Sequence, residues 1–436
     1  EMCIRDRGNF GADGIVGPHH EKEGSFYTIK QLWSPVQIMN TSIDKQFDGK
    51  FSVENRYDYL NLNTCRFLWK QVKFPTATDT SNTTTQVLKE GEVQGSDVAA
   101  HSTGILDIKT TILPNADALF LTAIDKYGHE LWRWTFPVDK LNQTNEVFSP
   151  LSGKATYSET ENELTVKAKN HTFIFSKRDG QLKGVSVNNH KISFANGPRF
   201  IGARRADRSL DQFYNHDDEK AKEKDRTYSE FPDAAVFTKL EVKEDGGNLI
   251  VTANYKLGNL DKAQWTINPN GEAALDYTYN FSGVVDLIGI SFDYPEDQVI
   301  SKRWLGAGPY RVWQNRIHGT QYDVWENDYN DPIPGETFTY PEFKGYFDSV
   351  SWMNIRTKEG TISLTNETPD SYIGVYQPRD GRDRLLYTLP ESGISVLDVI
   401  PPVRNKVNST DLCGPSSQPK WVNGPQTGRI IFRFME

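Results

Sequence analysis

Carboxylates are the residues with the most chemistry to offer. Asp and Glu number 58, yet hydrolysis of a glycoside needs two carboxyls held roughly 5–9.5 Å apart across one sugar, and no local spacing nominates such a pair. The eight histidines are scattered. His19-His20 is the one adjacent pair, and neighbouring side chains on an extended chain point to opposite sides, which argues against a shared metal. Asp13-Gly14 has the form of a turn, in which a short acidic side chain bonds nearby backbone and glycine accepts positive φ. The three cysteines, Cys3, Cys65 and Cys413, are too sparse for a disulfide framework or a zinc cluster and read as buried or incidental thiols. The sequence has no Gly-rich phosphate loop and no GxSxG elbow. Epimerisation at a sugar C1 would need an acid and a base, usually histidine with a carboxylate. His190, His216 and His318 are available for that, without a supporting motif around them.

Composition narrows the classes. Hydrophobic residues make up 37% and charged residues 25% of 436 residues, which suits an ordinary globular protein of several domains. The net charge of −9 argues against nucleic acid as a partner, which calls for a basic stripe. No apolar run approaches the roughly 20 residues of a membrane helix. Aromatics reach 12%, which fits large two-sheet cores or sugar-stacking surfaces.

The elements that must position any site are mainly strands. Residues 1–8 carry no periodicity and read as an artefactual end. Residues 9–35 read as one strand–loop–helix piece. Ile15-Val16 is a short apolar stub, and Phe26, Ile29, Lys30 and Trp33 repeat at helical spacing until Ser34-Pro35, since the residue before proline avoids the α region. From residue 36 the period becomes two. Residues 51–62 read as a strand, and Cys65, Phe67 and Trp69 alternate with polar neighbours. Residues 118–125 and 130–136 flank Lys126-Tyr127-Gly128-His129, a hairpin with glycine in its turn. Trp132, Trp134 and Phe136 share one face of the second arm, as core. These features predict a sandwich over 36–145, and 137–152 reads as a linker. Over 150–436 the strands lengthen. Leu249, Val251, Ala253, Tyr255 and Leu257 form one face, and Asn268-Pro269-Asn270-Gly271 turns the chain toward Leu275, Tyr277, Tyr279 and Phe281. An antiparallel meander of this length predicts one very large sandwich, with the charged run 217–226 as a solvated loop.

Several segments resemble glycoside hydrolase family 2 β-galactosidases. Phe10-Gly11-Ala12-Asp13-Gly14-Ile15-Val16 resembles the segment closing the last strand of that family's catalytic barrel, and the helix carrying Thr28-Ile29-Lys30 resembles the barrel's last helix. Residues 51–69 are similar to the start of its second immunoglobulin-like domain. Trp304-Leu305-Gly306-Ala307-Gly308-Pro309 is similar to the WLGxGP turn of its C-terminal domain, and Gly345-Tyr346 and Trp352 to the segment that follows. The resemblance runs in the family's order from Asn9 to Glu436. It implies a mainly β chain: a short βα remnant of a TIM barrel, an immunoglobulin-like sandwich, then a large antiparallel β-sandwich similar to galactose mutarotases.

The resemblance also implies retaining hydrolysis of terminal β-galactosides or related β-glycosides by two glutamates. Both would lie on barrel strands preceding Asn9. This chain then holds no catalytic residue and is inactive alone, with the upstream barrel of the same polypeptide as its partner and a homo-oligomer compatible with the family. The backbone carbonyl of Phe10 and the side chain of Asp13 fall where the family meets the galactose 6-hydroxyl and a bound sodium, a hard cation that takes oxygen ligands. Asp13 replaces an asparagine of the family pattern. Magnesium is implied for the full-length enzyme, with most of its ligands outside this chain. His19-His20-Glu21-Lys22 stands where the family has Asp-Arg-x-Pro, and residues 389–396 lack the tryptophan that serves as a sugar platform. Trp313 and Trp325 are the substitutes, with core packing as their other role. A non-catalytic carbohydrate-binding module and an aldose epimerase remain as readings from other classes.

Overall fold

Strands form where apolar and polar residues alternate, because successive side chains of an extended chain face opposite ways. The structure, a computed structural model, describes residues 15–16, 22, 24–79, 84–138, 153–205, 228–231, 233–327, 344–368, 370–376, 392–402 and 414–436. It gathers into two compact units. No helix among the described residues is long and apolar enough to cross a membrane, which says nothing of β-barrels.

The first unit draws on Glu1–Asn145, Leu305–Tyr310 and Ile317–Trp325. Helix α1, Gly24–Leu32, stands where the helical spacing predicts it and stops short of Pro35. Seven strands follow: β1 (Val36–Ile38), β2 (Lys50–Asn55), β3 (Arg66–Lys73), β4 (Gln86–Gln94), β5 (Ser102–Asp107), β6 (Ala118–Ile124) and β7 (Glu130–Pro137). They form one sheet in the order β1-β2-β5 and another in the order β4-β3-β6-β7. Phe51 from the first sheet and Phe136 from the second close the space between, their rings 4.9 Å apart, among Val53, Phe67, Leu119 and Leu121. Burying one such side chain contributes about 1.5–3 kcal/mol.

Two expectations here are corrected. The strand expected over 51–62 ends at Asn55, because the buried Asn55 amide donates to the carbonyls of Leu60 and Val98, both at 2.9 Å. Those bonds fold residues 56–61 into a loop, and Leu62–Thr64 is a 3-10 turn. Pro137 and Val138 belong with the sheets and not with a linker: Pro137 ends β7, and Val138 bridges to Ile43.

The second unit draws on Glu146–Trp304, Arg311–Arg316 and Glu326–Glu436. One of its sheets has eleven strands and runs from Phe347–Asp348 through Tyr372–Val375, Ile394–Val399, Leu287–Asp293 and Ala195–Arg205 to Thr156–Glu159. The other has nine, beginning Val236–Asp245, Asn248–Lys256, Leu260–Ile267, Ala273–Val285 and Lys420–Met435. Its central ladder holds register from Ala273↔Phe432 to Val285↔Lys420. Of its last two strands, Val299–Gly308 and Gln321–Asn327, residues 305–308 and 321–325 group with the first unit.

The two sheets of this unit meet through rings. Trp265 lies 6.1 Å from Phe175 and 5.9 Å from Phe292, edge-on to both. Phe194 stacks on Phe292 at 4.5 Å. The unit is a β-sandwich, as the long period-two stretches predict. Leu257 departs from its expected place. It is 72% exposed with φ +58°, because the chain turns back toward Leu260 immediately after Lys256.

Candidate functional site

Phe10 and Asp13, the sugar- and cation-binding residues expected from the sequence, lie outside the described residues. So do His19, His20, His216 and the charged run 217–226. What the structure places is the neighbourhood of the WLGAGP turn and the titratable groups of the second unit.

In the second unit, strand Val299–Gly308 carries Lys302 and Trp304 inward, 1% and 0% exposed. Trp304 meets Phe347 edge-on at 5.0 Å. Lys302 Nζ lies 5.7 Å and Arg311 Cζ 5.2 Å from the centre of the same ring, so two cations share one aromatic face system. Arg311 Nη1 donates to the Lys344 carbonyl at 3.1 Å, and Lys344 Nζ pairs with Glu296. Val312 and Tyr346 exchange backbone hydrogen bonds of 2.7 and 2.9 Å.

Gly345 makes this node close. Its φ is +66°, and a Cβ there would stand 2.9 Å from the Trp313 ring, so a side chain is excluded both by conformation and by space. Below it, the Tyr376 hydroxyl donates to that of Tyr346 at 2.8 Å. Complete burial holds the Tyr346 phenol well above its ordinary pKa. Trp304, Arg311, Val312 and Trp313 are therefore brought together with residues 344–347. The Tyr346 phenol accordingly keeps its proton near neutral pH.

The substitute platforms divide. Trp313 is 6% exposed and is a core residue. Trp325, in the first unit, is half-buried. Its indole N–H donates to the Gln321 carbonyl at 2.9 Å, and its ring rests on Gly308, where a Cβ would stand 2.4 Å away. In the stretch that lacks the family's tryptophan, Ile394, Ser395 and Val396 are buried strand residues.

Three carboxylate neighbourhoods stand out in the second unit, none visible in the sequence motifs. Asp398 sits where the pairing of Ile394–Val399 with Leu287–Asp293 slips, between Leu397↔Gly289 and Val399↔Ile288. Such a bulge re-aims a side chain, and here the carboxylate accepts from the hydroxyl of Tyr279 on the other sheet. Burial pushes the Asp398 carboxyl up, against the lowering effect of that bond. Burial, then the charge of Asp370, raises Asp348; burial and both aspartates raise Tyr372. Asp276 and Glu367 both pair with Arg429, at 2.6 and 3.1 Å; burial raises Glu367 and the arginine opposes it. A lone aspartate inside the apolar run ISVLDVI was the signal available for Asp398.

No group of three or more metal-ligating side chains occurs among the described residues. His190 is exposed, at the start of the strand His190–Ile192. His318 belongs to the first unit, where its carbonyl accepts from the Thr28 hydroxyl at 2.8 Å.

Residues 167–389 match the family described as beta galactosidase small chain. No curated protein matches the sequence. Among solved structures, that of HI1317 is similar at 8% identity over 64% of this chain and 99% of its own, with a TM-score of 0.32. YeaD of Salmonella typhimurium, a candidate mutarotase, is similar at 10% identity over 68% of this chain and 99% of its own, with a TM-score of 0.32.

Proposed function

The chain belongs to the beta galactosidase small chain family, and we propose that it is the C-terminal part of a retaining β-galactosidase-like glycoside hydrolase acting on terminal β-galactosides or related β-glycosides. The observation carrying this is the family match over 167–389, which spans both the WLGAGP turn and the Gly345-Tyr346 segment. In this reading the two catalytic glutamates, about 5–5.5 Å apart in a retaining enzyme, stand on a barrel upstream in the same polypeptide. Residues 9–35 are the last βα piece of that barrel, the first unit is an immunoglobulin-like sandwich, and the second is the family's large sandwich. The chain supplies framework and part of the sugar pocket.

Phe10 and Asp13 are the residues proposed to meet the sugar 6-hydroxyl and sodium, and magnesium belongs to the barrel. No group of three or more metal-ligating side chains occurs among the described residues, and no step here depends on either ion. Burial of Trp313 removes one of the two substitute sugar platforms.

The coding region upstream of residue 1 tests the proposal. An in-frame barrel with two glutamates on neighbouring strand ends is expected. A start codon just before Gly8, with no barrel encoded beside it, would contradict it.

A further inference from the structure

Within the first unit, α1 bonds to residues 310–319 through one stripe, and to β7 through the 2.8 Å pair of Lys30 with Glu130. Gly24, Tyr27, Thr28 and Gln31 follow the three- and four-residue steps of one helix face. Thr28 Oγ1 donates to the carbonyl of His318, 290 positions on, at 2.8 Å. Gln31 Oε1 accepts the Gly319 N–H at 2.6 Å. The Tyr310 hydroxyl donates to the Lys22 carbonyl at 3.2 Å, and the Tyr27 and Tyr310 rings lie 5.2 Å apart. At Gly319 backbone meets backbone: φ is +90°, and a Cβ would stand 2.5 Å from the Thr28 nitrogen.

The segment facing α1 is itself fixed. Asp323 accepts from Thr85 Oγ1 at 2.8 Å and from Arg133 Nη2 at 3.1 Å. Arg133 lies 4.6 Å over the Phe120 ring of β6, and Tyr322 meets Phe74 edge-on at 5.7 Å. A nine-residue helix is marginal alone, and α1 buries none of its residues fully. These bonds, together with the exposed Lys30–Glu130 pair, are therefore what places it, and a surface ion pair contributes the smaller share.

We propose that Leu305–Tyr310 and Ile317–Trp325 form the seat of α1, with Gly319 as the positioning residue that controls how firmly the complete hydrolase holds its sugar. This rests on the glycosidase reading above, in which α1 follows the last barrel strand. In this reading Gly319 acts through the helix, its close approach being to the Thr28 backbone.

Gly319→Ala is to be compared with Gly128→Ala, whose φ of +89° carries the same left-handed cost but whose Cβ would meet nothing within 4 Å. Hydrogen exchange on the full chain should show the amides of 24–32 exchanging about tenfold faster in Gly319→Ala, with no change there in Gly128→Ala. In the complete enzyme, Gly319→Ala and Gln31→Leu should raise KM for a nitrophenyl β-galactoside roughly three- to tenfold, with kcat within about twofold. Gln31→Glu, which keeps the acceptor, should leave KM near wild type. Equal exchange in the two glycine variants overturns the seat. Faster exchange with KM unmoved overturns its link to sugar binding. A wild-type complete enzyme that cleaves no glycoside overturns the glycosidase reading, while the exchange result still decides the seat.

Discussion

Asp398 and Tyr279 face each other from the two sheets of the large sandwich, and burial has raised the carboxyl. A carboxyl whose folded pKa exceeds its unfolded value binds its proton more tightly when folded, so stability is lost as pH rises through the window between the two values. Asp398→Asn keeps an acceptor for Tyr279 and removes the charge. It should stabilise the protein at pH 7 by roughly 1 kcal/mol, the order of a desolvation penalty, with the gap to wild type closing as pH falls toward 4. Tyr279→Phe strands the carboxylate and should destabilise by about 1–3 kcal/mol at pH 7. Urea unfolding across pH reads both, and a gap that widens on acidification would refute the sign. At this scale the sequence was least legible. Tyr279 reads correctly as an inward strand residue, but its partner lies 119 positions away on the other sheet. Separation in sequence also hides the meeting of Lys302 and Arg311 with Phe347, 45 and 36 positions on.

The strands were the most legible elements, because burial of one face leaves a period-two trace in the residues themselves. Asn248–Lys256 alternates buried and partly exposed positions along most of its length, and the hairpin of β6 and β7 falls where Tyr127-Gly128 marks a turn. Strand ends were less legible, since they depend on distant groups: Asn55 ends β2 by bonding the Val98 carbonyl. The turn at Gly345 belongs to this scale too. It carries φ +66° and lies against Trp313, so Gly345→Ala should cost about 1–3 kcal/mol in strain and displaced packing. Thermal unfolding measures this, and a loss under about 0.5 kcal/mol, typical of a surface site, would show that the node is looser than described.

For the molecule as a whole, the sandwich class followed from composition and period, and the β-galactosidase likeness from segments that include the WLGAGP turn. The division into units was only partly legible. Leu305–Tyr310 and Ile317–Trp325 group with the first unit although they lie deep in the sequence of the second, and no compositional change marks those crossings. Fold alone does not assign chemistry. The central claim is that glycosidic cleavage is performed by carboxylates outside this chain, with the chain as framework. The most direct test is the hydrolysis rate of a nitrophenyl β-galactoside by the purified chain alone. The account predicts turnover at the level of buffer. Turnover above that level, abolished by Asp348→Asn or Asp398→Asn, would place the catalytic carboxylates in this chain and contradict it.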